Sequence, residues 1–173
     1  NAPLDPAIDP MFNVSTSSMA MPGVMVANFL MESGAFGDVI KSQLTYAQSE
    51  DFQGYVVLVH AGDSAPTEAE LIGYYREFYN NVLDDAQRAE LNGIFAQFVF
   101  AAQTVTDSGD PINYAGMMAM AQKPTHLIEV VGGGIDEDMV NLPDQVIPNT
   151  VSSAPLGGTE GAIAFLGLPG VSE

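Results

Sequence analysis

Asp144 is the residue best placed to do chemistry. Residues 124–149, PTHLIEVVGGGIDEDMVNLPDQVIPN, read as a buried strand, a glycine break, and then an acid held in a loop rich in Pro and Asn. Such an acid can orient an imidazole and stabilise the imidazolium that forms when the ring takes a proton from a serine. It must then lie within hydrogen-bond reach of the ring, on a loop anchored by a rigid strand. The sequence holds no G-x-S-x-G nucleophile elbow, no Cys, and no His after Asp144. A triad built on this acid would therefore lack its other two members in this sequence. The plain alternative is a loop Asp that hydrogen-bonds its own backbone.

Other candidates are weaker. Asp136, Glu137 and Asp138 come after the same strand, and a calcium ion wants six to eight oxygens from a tightly turned loop. Their spacing fits neither an EF-hand nor a GGxGxD repeat, so a solvated acidic loop is the expectation. The glycines at 132–134 precede three acids, where a phosphate cradle would need a helix N-terminus with Lys. His60 and His126 are the only imidazoles, and both precede Asp144. They read as structural or surface residues, and two lone His do not make a metal site. Ser15, Ser17 and Ser18 read as turn and strand residues. The Met-rich segments (Met19, Met21, Met25, Met31; Met117, Met118, Met120) fill cores by default. In a lid, the same flexible side chains could line an acyl-chain groove. No cofactor and no metal is called for.

The elements that must position these residues are mostly helical. Residues 1–10 form a Pro-rich lead, and residues 11–20 a short strand or extended loop. Residues 24–31 (VMVANFLM) are apolar on nearly all sides and predict a buried or lid-type helix; 36–47 predict a second. Residues 55–59 (YVVLV) are strand-like by their β-branched content. Thr67 and Glu70 form a capping box, after which Leu71, Ile72, Tyr75, Phe78, Tyr79 and Val82 recur at helical spacing. Asp84 caps the next helix with Gln87 at the third position, and its apolar period runs to Val105. The short link between the two predicts an antiparallel hairpin. DSGDP at 107–111 stops the second helix. A short helix over 113–120 leads to a strand at 126–131, and 159–166 predict a small terminal helix.

Composition bounds the partners. The 173 residues suit one domain, and 47% hydrophobic content can bury a sizeable core. Acidic side chains number 22 against four basic ones, Lys41, Arg76, Arg88 and Lys123, for a net charge of −18. No nucleic acid is expected as a partner, because its phosphates would be repelled. Anionic membrane surfaces are disfavoured for the same reason. No uncharged apolar run reaches the ~18 residues that span a bilayer, so no membrane span is expected. The start NAPLDPAIDP suggests a chain processed from a precursor or a longer polypeptide.

Four segments together resemble the C-terminal half of the extracellular lipases in the bacterial virulence-factor lipase family, of the α/β-hydrolase superfamily. They are AQTVTDSGDPINYA (102–115), PTHLIEVVG (124–132), DQVIPN (144–149) and PLGGTEGAIAFLGL (155–168). FNVSTSSMAMPG with FLMESGAFGDVI resembles the segment just after the nucleophile elbow in those enzymes. The resemblance implies an α/β fold: a partial α/β-hydrolase, its C-terminal half, with a helical cap or lid insertion. Residues 1–173 would be a single partial hydrolase domain, with 24–106 the cap or lid and 124–168 the strand, acid loop and terminal helix. It carries one catalytic residue over, the acid at Asp144. The serine would lie before Asn1 and the histidine beyond Glu173.

The implied function is the acid-and-lid portion of a secreted, extracellular bacterial lipase or esterase, free or at the cell surface. It would be inactive alone and partnered by the remaining part of the same lipase, with a lipid or ester substrate. Either a cleaved lipase or a descendant that has lost catalysis fits. The rival expectation is a non-catalytic, extracellular, self-assembling structural protein whose partners are copies of itself, since half a hydrolase sheet leaves open strand edges. A calcium-dependent module using residues 136–138 is a third.

Overall fold

The computed structural model describes residues 15–121, 123–133, 135–136 and 139–170, and of residues 135, 136, 139 and 140 the backbone alone. Residues 1–14, Glu137, Asp138 and the side chain of Asp136 lie outside the described residues, and with them the acidic side chains expected to hold calcium. Two strands, β1 (Ser17–Ala20) and β2 (Thr125–Ile128), pair in parallel with Ser17 opposite Thr125 and Ala20 opposite Ile128. Parallel partners need a long crossover. Here residues 21–124 supply it, almost entirely as helix. The chain is thus of mixed α/β class, mostly helical around a small parallel pair, and that pair does not amount to a hydrolase sheet. Residues 135–136 (β3) and 139–140 (β4) add a minimal antiparallel hairpin.

The crossover begins with α1 (Val26–Glu32) and α2 (Gly37–Gln48), as the apolar runs predict. The strand expected at 55–59 is instead the end of α3 (Glu50–Val59). Local capping decided against β-propensity: the Ser49 hydroxyl accepts from the Phe52 amide at 3.1 Å, and Glu50 and Asp51 fill the first turn. Phe52 and Val56, one turn apart, are buried, whereas Val57 and Leu58 face solvent.

Both capping boxes form. Thr67 Oγ1 accepts from Glu70 N while a Glu70 oxygen accepts from Thr67 N, starting α4 (Glu68–Glu77). Asp84 and Gln87 do the same for α5 (Asp85–Thr106). A π-helical turn over Phe78–Val82 joins the two. Tyr75 packs edge-on against Phe95 and the Tyr79 hydroxyl bonds Asn92, so partner numbers fall as chain numbers rise, as in an antiparallel hairpin. The main core joins Met31, Phe52, Val56, Leu71, Tyr75, Phe78, Leu91 and Phe95, from α1, α3, α4, α5 and the π turn. A smaller one, Phe29, Val151 and Ala154, fixes α1 to the segment before α7 (Gly158–Leu166). The helix α6 (Ile112–Met120) packs on α7.

Candidate functional site

The site is organised around α1. Its first turn starts from Met25, held left-handed at φ 57°. Asp110, with no solvent exposure, holds that turn in place. Its Oδ1 accepts from Met25 N at 3.0 Å and Ile112 N at 3.1 Å, and its Oδ2 from Val26 N at 2.7 Å and Gln103 Nε2 at 2.8 Å. Gln103 Oε1 in turn accepts from Ala27 N at 3.2 Å. Burial pushes the Asp110 carboxyl up, but the bonds from Gln103, Val26, Ile112 and Met25 outweigh it and leave the acid below its ordinary value. In the sequence, Asp110 read only as part of a helix stop. The legible signal was Asp-Pro-Ile ahead of a helix, the pattern by which Asp bonds the amide two residues on.

The far end of α1 is clamped by Glu32. Its Oε2 accepts from Ser152 N at 2.7 Å and Ser152 Oγ at 2.8 Å, and its Oε1 from Ser153 N at 2.8 Å. Burial opposes the charge here as well, and the serine bonds hold the carboxyl below its ordinary value. Between α1 and α5 lies a cavity of about 770 Å³. Met25, Met31, Phe95, Val99 and Phe100 supply its apolar lining, with Lys41, Glu32 and Ser152 among its polar groups. This volume suits a small organic ligand. Two of the methionines singled out from the sequence are therefore in its wall.

Asp144 lies in the loop that follows β2, and its backbone returns to the chain just beyond the end of that strand. Its amide donates to Val130 O at 3.2 Å, and Asn149 Nδ2 donates to the same carbonyl at 2.9 Å. Gly132, at φ 68°, lets the returning chain close: a Cβ there would stand 2.4 Å from Pro143 N. The acid loop also docks on the link between α1 and α2. Ser33 Oγ donates to Gln145 O at 3.0 Å and Ala35 N to the same oxygen at 2.7 Å. Asp144 Oδ1 accepts from Val146 N at 2.8 Å and Ile147 N at 3.1 Å, so one carboxylate oxygen serves its own loop.

The two imidazoles stand apart from this acid in their bonding. His60 bridges the Tyr74 hydroxyl at 3.3 Å and Ser64 O at 2.8 Å, a structural role at the end of α3. His126 Nδ1 lies 3.3 Å from Ser18 Oγ across the β1–β2 pair, on its exposed face. Sequence reasoning set both residues aside separately. Only strand register over 108 residues brings them together, and no local signal carries that. Among the described residues no carboxylate bonds His126, so the pair lacks the third member of a triad. No group of three or more His, Asp or Glu among the described residues is placed to hold a metal. No helix among them is long and apolar enough to cross a membrane. No family model matches the chain, and no curated protein and no solved structure is significantly similar to it.

Proposed function

We propose that this chain is the acid-and-lid portion of a secreted bacterial lipase or esterase, a C-terminal hydrolase half with a helical cap. The observation that carries the reading is the placement of Asp144. A parallel strand pair is joined by a helical crossover, and the acid is hydrogen-bonded to Val130 immediately past the second strand. In this reading Asp144 Oδ2 takes the Nδ1–H of a histidine supplied elsewhere, holding the tautomer that accepts the serine proton. The helices over 24–106 form the cap, and the cavity beside α1 receives the acyl chain along Met25, Met31 and Phe100. Without nucleophile or general base, the chain by itself leaves esters intact.

The exposed Val57 and Leu58 on α3, 78% and 85% accessible, favour a second reading. Together with the open Ile128 and Val130 on the sheet face, they offer apolar contacts for self-assembly, which salt would promote by screening the acidic charge. Native and denatured masses of the purified material decide between the two. A second polypeptide bearing G-x-S-x-G, with p-nitrophenyl ester hydrolysis lost on Asp144→Asn, is the result expected of the lipase reading. An assembly built of this chain alone, with no second polypeptide, favours the second reading, and ester turnover above the buffer rate by this chain by itself overturns the first.

A further inference from the structure

Three side-chain oxygens among the described residues are shut off from solvent and bonded to nothing: Glu129 Oε1, Asn149 Oδ1 and Thr159 Oγ1. Backbone contacts bring their residues to one junction. Asn149 Nδ2 donates to Val130 O, beside Glu129, and Asn149 O accepts from Glu160 N, beside Thr159, at 2.9 Å each. The first of these bonds also fixes the Asn149 amide, since only its nitrogen can donate to a carbonyl. Its Oδ1 is therefore a true acceptor without a donor. Thr159 has no solvent exposure at all. Buried polar atoms in folded proteins are almost always partnered, so orphans on three residues that meet at one junction point to an occupant.

All three orphans are oxygens, two of them pure acceptors when Glu129 is ionised. An anion would be repelled. Glu129 and Glu160 lie close enough for their charges to act on one another. Carboxylate, amide and hydroxyl oxygens are the ligand types that hard cations select.

We propose that the junction of β2, Asn149 and the start of α7 binds one hard divalent cation of the calcium type. Glu129 Oε1, Asn149 Oδ1 and Thr159 Oγ1 are its protein ligands, Glu160 adds charge, and water completes the shell. The site differs from the acidic loop at 136–138 and does not depend on the lipase reading. Its bound cation would tie the end of β2 to α7, and so steady the strand end from which the Asp144 loop hangs.

Calcium titration calorimetry on the whole chain, at ~0.15 M salt to screen diffuse binding to the acidic surface, tests this. One saturable site per chain is expected. Glu129→Gln should weaken it tenfold or more, and Thr159→Val, which keeps the side-chain volume, should weaken it measurably. Glu68→Gln, on the exposed first turn of α4, should leave it unchanged. Calcium should also raise the Tm of the parent by more than that of Glu129→Gln. No saturable heat, leaving water as the occupant, overturns the proposal. So does equal affinity in the parent and in a folded Glu129→Gln or Thr159→Val.

Discussion

Removing the Asp110 carboxylate should release the first turn of α1. The side chain accepts four hydrogen bonds, three of them from main-chain amides at Met25, Val26 and Ile112. Bonds to a charged acceptor are worth about 1.5–3 kcal/mol each in isolation, but they are not additive and a truncated site admits water. Breaking a buried network of this kind costs about 3–5 kcal/mol. At about 2–4 °C per kcal/mol for a domain of this size, Asp110→Ala should lower Tm by roughly 6–20 °C. Asp110→Asn should recover little, because an amide nitrogen at Oδ2 would face the donors Val26 N and Gln103 Nε2. The pH dependence is a second readout. The folded acid titrates below its unfolded value, so its stabilisation is complete above roughly pH 4–5 and is lost as pH falls through the lower folded value. The Asn variant should lack that part of the acid limb. Urea unfolding across pH 3–7, monitored by far-UV circular dichroism, measures both. An Asp110→Ala chain within about 1 kcal/mol of the parent would refute the argument that this acid holds α1 in place.

Two further outcomes are expected. Gly158→Ala should destabilise the chain by about 2–4 kcal/mol in the same unfolding assay, since the new Cβ would meet Pro148 O at 2.3 Å at a φ of +80°. Glu32→Gln should speed amide hydrogen exchange at Ser152 and Ser153, because a neutral amide replaces the carboxylate that accepts their bonds. In the parent, that protection should be present at neutral pH and fall away as pH drops through the lowered titration of Glu32.

Local chemistry was legible in the sequence, and long-range placement was not. The Thr67 and Asp84 capping boxes could be read because each closes within three residues. The position of Asp144 was readable because an apolar strand with glycine and proline after it leaves the acid at the strand end. Residues 55–59 misled because β-branched content is a weak preference, overridden by the Ser49 cap and by burial of Phe52 with Val56. The Asp110–Gln103 clamp stayed hidden because its partners at 25–27 lie far along the chain. The Ser18–His126 contact stayed hidden for the same reason.

The pairing of β1 with β2 also dictates an order of events during folding. Ser18 and His126 are 108 residues apart, so closing that loop costs entropy that few local contacts offset. Parallel pairing over such a distance comes late. The aromatic cluster of Phe52, Tyr75, Phe78 and Phe95 draws on helices close in sequence and can form first. Until β2 arrives, β1 is an unpaired edge carrying Met19, open to any other extended chain. The helices between the strands therefore act as a folding clamp, and damage to their core should appear first as slow closure of the sheet and as aggregation during refolding.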